Sequence, residues 1–468
     1  MNIKPFLIFL SILFGINCLS AQTLPIVEVA DNRHFFKTSD GKPFFWLGDT
    51  GWLLFSKLTH EEAELYFKNR QEKGFNVIQA SLLHTLDAKN AYGDSALIRQ
   101  DMANLNLKNL NDDKTYWGNI SYIIDLAAKH DIYIALIPAW GGVLKNKNTT
   151  VEKAGKYADW LANTFKDKTN IIWFTGGDVR GNDVEDIIKT MGRKIREIDK
   201  KHLISFHPFG RTQSSTWFHN EPWLDFNMFQ SGHRNYEQDS TGNKFGEDNW
   251  KYVIIDYNKT PIKPVIDGEP SYEGIPQGLH HSYTPKWKAE DVRRYAYWSV
   301  FAGACGFTYG HSSVMQFYNP SNDDEPAYHA TMDWKTALNA EGASQMQYFK
   351  NLILSYPYYE RIPDQSLIHD PQKEKYQRVA ATRGKDYALI YTYTGEKFSV
   401  NMKKITGKTV NAFWFNPRTG EKTFIREYKN KGVTEFTPPD VPQNGNDRVL
   451  IIESVYNNTS KSPLIRCF

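Results

Sequence analysis

Short runs that are apolar or nearly so alternate with longer amphipathic stretches from about Pro43 to about His311. The runs are Phe44–Leu47, Phe75–Ala80, Ile132–Ile137, Ile171–Phe174, Leu203–Phe206, Phe226–Phe229, Pro264–Asp267 and Gly306–Tyr309, eight in all. A run that stays apolar at successive positions predicts a strand buried on both faces, as strands of parallel sheets are. The intervals carry helix signals. Thr59 followed by Glu62 reads as a capping box that opens a helix to Lys73, closed by Gly74. Tyr122, Ile123, Leu126 and Ala127 fall on one helical face ahead of the third run, and Asp183–Asp199 and Ala289–Phe301 read the same way. Eight β-then-α units within about 270 residues have the size of an α/β protein of the (β/α)8 TIM barrel type. The competing architecture, a doubly wound open sheet, normally has a glycine-rich phosphate turn after its first strand, and Gly48-Asp49-Thr50-Gly51 is not that pattern.

After about Tyr359 the texture changes. Alternating segments such as Tyr387–Tyr393 and Ala412–Phe415 are separated by turn signals at Thr394-Gly395, Asn416–Gly420 and Pro438-Pro439-Asp440. Regular short strands with such turns predict a C-terminal antiparallel β-sandwich domain. The stretch from Met315 to Tyr358 bridges the two parts, and it is aromatic rather than rich in Gly and Ser. It therefore predicts a sandwich packed against the barrel instead of one on a flexible tether. The expected organisation is a leader over residues 1–21, a barrel with its bridging segment over 22–358, and a sandwich over 359–468.

The leader rests on Lys4, the apolar run Phe6–Ile16 and Ala21 before the expected cut, which describe a secretory signal too short to span a bilayer. The mature chain is then exported, to the periplasm or the medium. Lipid attachment at Cys18 is the weaker alternative, because Asn17 sits where that processing site wants a small residue. No later segment is long and apolar enough to cross a membrane. With the leader removed, Cys305 and Cys467 remain: Cys305 lies in an apolar stretch that predicts a buried thiol, and a disulfide framework or a cysteine-ligated metal is not expected. A net charge of +3 spread over 468 residues gives no case for nucleic acid. Aromatic residues reach 14%, which suits sugar stacking as well as a large core.

Barrel enzymes place their active sites at the C-terminal ends of the strands. Here these ends carry Asp49 and Trp52 after the first run, His84 after the second and Trp140 after the third. Asp178 follows the fourth, His207 the fifth, and Gln230 and His233 the sixth. Glu269 and Tyr272 follow the seventh and His311 the eighth. Any one of these fits loop hydrogen bonding; the argument rests on all eight ends together. Asp178 and Glu269 are 91 residues apart, yet the barrel would bring both to one rim. Glycosidic cleavage needs such a pair, one acid to protonate the leaving oxygen and a second carboxylate to attack the anomeric carbon or activate water. The other nine residues named are the candidate sugar-binding groups, Asp49 through its carboxylate. Asp267 is expected to point away or to support Glu269, since neighbouring strand residues face opposite sides. The four strand-end histidines offer a barrel metallohydrolase as a rival, but those enzymes usually place His-x-His at strand one, where this chain has Leu47-Gly48-Asp49. Neither His-Glu-x-x-His nor Gly-x-Ser-x-Gly occurs, and no metal or cofactor is expected.

The segments Trp46–Trp52, Gly74–Gln79, Trp173–Asp178, Gln230–His233 and Asp267–Pro270 resemble, in order, the motifs of the apiosidase-like catalytic domain of glycoside hydrolase family 140. Phe413–Gly420 and Asn446–Leu450 resemble a collagen-binding-type β-sandwich, with Asp447-Arg448 where that domain usually has Asp-Trp. The resemblance implies a retaining mechanism, with Asp178 as acid/base and Glu269 as nucleophile, acting on apiose-linked units of the pectin rhamnogalacturonan II. Gln230, His233 and Tyr272 are the groups expected to hold Glu269 charged. The alternative is a non-catalytic carbohydrate- or matrix-binding protein on an inactive barrel. The partner in either case is a polysaccharide or oligosaccharide.

Overall fold

The computed structural model describes residues 23–239, 245–322 and 325–455. The expected leader, Cys18 and Cys467 lie outside them. The barrel strands are β1 (Trp46–Thr50), β2 (Val77–Leu83), β3 (Tyr133–Ala139) and β4 (Ile171–Val179). They continue with β5 (Ile204–Pro208), β6 (Asn227–Gln230), β7 (Val265–Asp267) and β8 (Gly306–Tyr309). Parallel ladders run β5-β4-β3-β2-β1-β8-β7-β6, and a two-residue strand, Thr212–Gln213, pairs antiparallel with β6. Between β5 and β6 the ring is completed by Asp225 N donating to Ile204 O at 2.9 Å and Ser205 Oγ donating to Phe226 O at 2.7 Å.

The barrel strands are buried on both faces, as continuous apolar runs require. Several of them, however, run past their apolar segment into the polar residues that follow. β4 is the extreme case, ending at Val179, so Asp178 lies within the strand and not beyond it. Inside the barrel, Trp46, Phe174 and Phe226 pack with ring centres 5.7–6.0 Å apart. Phe36, from a small antiparallel sheet formed by Val27–Val29, Phe36–Thr38 and Pro43–Phe44, meets Phe226 at 5.1 Å and plugs the lower end. Above this plug Gln79 Nε2 donates to Thr308 Oγ1 and to Gly268 O, a polar layer under the rim.

Among the described residues, seven helices of nine residues or more flank the ring. They are α1 (His60–Glu72), α2 (Tyr116–Lys129), α3 (Val151–Phe165), α4 (Glu185–Ile198), α5 (Asn249–Tyr257), α6 (Ala289–Phe301) and α7 (Glu341–Leu354). Thr59 and Glu62 form the expected capping box of α1, and Gly74 leaves it at φ +80°. Between β5 and β6 one turn, Ser215–Phe218, stands in for a full helix.

The C-terminal domain is a six-stranded antiparallel sheet and a two-stranded one. Its strands are β9 (Ile362–Pro363), β10 (Val379–Arg383), β11 (Tyr387–Thr392), β12 (Phe398–Asn401), β13 (Thr409–Phe415), β14 (Lys422–Lys429), β15 (Val433–Phe436) and β16 (Arg448–Ser454). The larger sheet has the order β9-β10-β11-β16-β13-β14, and β12 pairs with β15. Ala388, Ile390, Leu450 and Ile452 pack with Phe398, Val400 and Phe436 of the small sheet. Their neighbours Tyr387, Leu389, Tyr391, Val449 and Ile451 face the other way and join the core that holds Tyr297, Phe301 and Phe349. The period of two therefore sorts two apolar faces. At this junction the Tyr297 and Tyr391 rings stack 4.5 Å apart, and Arg293 makes two 2.9 Å bonds to Asp447. The sandwich packs on the barrel as the bridging segment suggested. Cys305 lies beneath the same region, its buried thiol 3.4 Å from Val265 O and pushed up to about 12 by burial.

Candidate active site

A cavity of about 480 Å³ opens at the C-terminal rim of the barrel. Trp52, His84, Trp140, Asp178, Gln230, His233, Glu269 and Tyr272 line it, so eight of the residues named from sequence meet in one place. The site has an aromatic side, where the Trp52 and Trp140 rings lie 5.0 Å apart and His84 stands 4.9 Å from Trp140. Burial lowers the His84 imidazole to about 4, so it is neutral at pH 7. Gln230 Oε1, His84 Nδ1 and His233 Nδ1 are buried without a hydrogen-bond partner among the described residues. Such groups are costly unless a polar ligand satisfies them.

Asp178 sits on a contorted backbone. Gly176, Gly177 and Asp178 have φ of +86°, +130° and +51°, a left-handed run that breaks the β4–β5 ladder between Gly176 and Val179. A Cβ on Gly176 would stand 2.5 Å from the Phe206 ring, and one on Gly177 would stand 2.9 Å from Trp140. Glycine is thus required twice, by backbone angle and by space. At Asp178 the strain is borne by a residue whose side chain lines the cavity. The bend aims the Asp178 N–H at His207 Nδ1, 3.2 Å away. Because Nδ1 accepts from the Asp178 amide, Nε2 is the ring nitrogen left to carry a proton, and it lies 3.0 Å from Glu269 Oε2. His233 Nε2 is 3.3 Å from Glu269 Oε1.

The two carboxyls consequently differ. Burial, and then the negative charge of Glu269, raise Asp178 above the ordinary aspartate range. Burial alone would also raise Glu269, but the His207 and His233 imidazoles outweigh it and hold the carboxyl at about 2. Tyr272 packs edge-on against His233 at 4.5 Å, and burial followed by the charge of Glu269 keeps its phenol well above its usual value.

Three expected sugar contacts stand elsewhere. Asp49 is fully buried beneath the rim, paired with Arg70 at 2.6 Å and accepting from Tyr66 Oη at 2.7 Å, so its carboxylate is committed within the fold. His311 is also buried outside the cavity lining; its Nδ1 accepts from Ser313 N at 3.1 Å, and burial drops its imidazole to about 3. His207 stands behind the cavity wall and acts on the carboxylates, not on the space. Asp267 does not touch Glu269. It accepts from Ser231 Oγ at 3.1 Å and from Asn249 Nδ2 at 2.8 Å, and burial raises it to about 7. The four strand-end histidines do not assemble as ligands, and among the described residues no group of three metal-binding side chains is gathered.

The strand-end reading missed cavity residues lying further along the loops. Lys57 follows β1, Arg211 follows β5, Arg234 follows β6, and Gln316 and Tyr328 follow β8. Arg211 and Tyr328 have φ of +60° and +50°, unusual for large side chains. Tyr328 lines the same cavity, and burial and then the charges of Asp178 and Glu269 raise its phenol.

Residues 30–360 match the family described as "Apiosidase-like, catalytic domain", and residues 362–453 match the one described as "Putative collagen-binding domain of a collagenase". A solved structure named "Glycoside hydrolase" is 44% identical, with 93% of this chain and 97% of that one covered and a TM-score of 0.87. A glycoside hydrolase family 5 protein from Bacteroides vulgatus ATCC 8482 is 40% identical, with coverage of 94% and 97% and a TM-score of 0.89. No curated protein matches the chain. Among the described residues no helix is long and apolar enough to cross a membrane.

Proposed function

We propose that this chain, which belongs to the apiosidase-like catalytic-domain family of glycoside hydrolases, hydrolyses its substrate with retention through Asp178 and Glu269. The observation that carries the division of roles is the opposite treatment of two carboxyls on one cavity, Asp178 pushed up and Glu269 held at about 2, while the family resemblance is what supports retention. A nucleophile must be ionised, and an acid must keep its proton until the leaving oxygen takes it. Glu269 attacks the anomeric carbon while Asp178 protonates the departing oxygen, leaving a glycosyl-enzyme ester. Asp178, now a carboxylate, takes a proton from water, which attacks the ester and restores Glu269. Trp52 and Trp140 offer apolar faces to the sugar, and Gln230 and His84 offer buried polar atoms to its hydroxyls.

The family and the motif order support apiose-linked units of rhamnogalacturonan II, a plant cell-wall pectin, as the substrate. The pattern from Lys4 to Ala21 supports export to the periplasm or the medium, where such a polymer is met. The test is to incubate the protein with rhamnogalacturonan II fragments and follow released sugars by chromatography. Release of apiose-bearing saccharides is expected. No release from these, with turnover of another cell-wall glycan, would overturn the substrate; no turnover of any would overturn the activity.

A further inference from the structure

We infer that Tyr376 of the β-sandwich is a positioning residue for the active site, acting through Glu247 on the loop that carries His233 and Arg234. The inference rests on the glycosidase reading for its kinetic consequence but not for its geometry. The loop leaves β6 at Gln230 and returns to the fold at α5. Glu247, near its end, is fully buried and serves three elements at once. Arg294 of α6 donates to Oε2 at 2.6 Å. Tyr376 Oη donates to Oε1 at 2.8 Å, and Tyr236 N, from the early part of the loop, donates to the same oxygen at 3.3 Å. The Tyr376 ring meets the Tyr236 ring 5.5 Å away, and Tyr236 Oη donates to Asp248 at 2.6 Å. One carboxylate thus joins the sandwich, the barrel helix and the backbone two residues beyond the cavity-lining Arg234.

The same loop reaches a second cavity residue. Asp239 accepts from Gly246 N at 2.7 Å and from Arg211 Nη1 at 2.6 Å. Arg211 lines the cavity on a left-handed backbone, and its N–H donates to Gln230 O at 2.7 Å. Burying Glu247 and Arg294 costs free energy that their pairing only partly returns. An apolar contact would fasten the domains as well, whereas a shared carboxylate also fixes where the loop lies. The interface holds its own comparison. Arg293 with Asp447, joined by Tyr391 Oη at 3.1 Å, has the same chemistry but touches no cavity loop.

The test uses the full chain with Tyr376→Phe or Tyr391→Phe, each losing one phenol oxygen from a buried carboxylate. Amide hydrogen exchange across residues 233–239 should quicken about fivefold in Tyr376→Phe, the size expected for one lost hydrogen bond, and stay unchanged in Tyr391→Phe. On rhamnogalacturonan II fragments, KM should rise about fivefold in Tyr376→Phe with kcat within about twofold, and neither should move in Tyr391→Phe. Should Tyr376→Phe fail to fold, Glu247→Gln should quicken the same amides by more than about fivefold, because it also leaves the buried Arg294 only Asp291, at 3.2 Å, as a carboxylate partner, and unchanged exchange there would overturn the inference. Equal exchange in the two variants, or an unchanged KM in a folded Tyr376→Phe, would overturn the inference. Because exchange needs no substrate, absence of any turnover would count against the activity and leave the loop measurement standing.

Discussion

The corner that carries Asp178 and the corner that carries Glu269 solve opposite problems with a shared part. At Asp178 the backbone is strained, and burial beside a negative neighbour makes the carboxyl hold its proton more tightly than an ordinary aspartate does. At Glu269 two imidazoles face the carboxylate, so the proton stays off. His207 touches both, accepting from the Asp178 amide and presenting Nε2 to Glu269. The contrast teaches that a carboxyl's hold on its proton is set by surroundings more than by residue type: the stronger acid in water, aspartic acid, is the one pushed upward.

Removing Glu269 should break the comparison most severely. Glu269→Ala should lose on the order of 10⁴-fold or more in kcat on every substrate, since no covalent intermediate can form. Asp178→Ala should lose about 10²- to 10⁴-fold on substrates with sugar leaving groups, the usual share of a general acid. It should keep glycosylation on an aryl glycoside, whose leaving group needs little protonation, and azide should restore part of its turnover by giving a glycosyl azide of retained configuration. If azide instead rescues Glu269→Ala with an inverted product and leaves Asp178→Ala inactive, the two corners have exchanged roles.

His207→Phe keeps the ring packing against Trp52 and Trp140 but loses both polar contacts. Activity at pH 7 should fall about 10- to 100-fold through misplacement of the two carboxyls. The pH profile supplies the sign. In the native protein kcat/KM should hold to well below the ordinary glutamate range before Glu269 protonates, and fall on the alkaline side as Asp178 deprotonates. In His207→Phe the acidic limb should move up toward ordinary glutamate values. An acidic limb that stays put would mean that His207 does not set the charge of Glu269.

Stability gives the smallest effect. Asp178→Gly relieves a left-handed side chain and a buried carboxyl, and should raise stability by about 1 kcal/mol while abolishing the acid. Glu269→Ala should lower it at pH 7, because a carboxyl depressed from 4.5 to about 2 contributes stability above its unfolded value that disappears as pH falls through its folded one. Thermal melts of the two variants should therefore shift in opposite directions; a lowered melt for Asp178→Gly would refute the strain at Asp178.

The sequence made the barrel legible because a strand buried on both faces leaves an uninterrupted apolar run, and made the carboxylate pair legible because the topology gathers strand ends. What it hid was commitment. Asp49 ends a strand as Asp178 does, yet Arg70 takes its charge. A sign was present: Ala63, Tyr66, Phe67 and Arg70 share the buried face of α1, and an arginine on an apolar stripe needs a carboxylate partner. His207 and His233 looked alike as strand-end histidines, although one stands behind the wall and one lines it, a difference of side-chain direction that spacing does not encode. Tyr328 and Arg211 escaped because the reading stopped where strands stop, and loops carry such residues further.

The aromatic plug of Phe36, Trp46, Phe174 and Phe226 makes the barrel a vessel with one door. A polymer cannot be drawn through it as through a tunnel, so saccharide must arrive, react and depart by the same rim. Small sugars that occupy that rim should therefore act as competitive inhibitors of the next arrival.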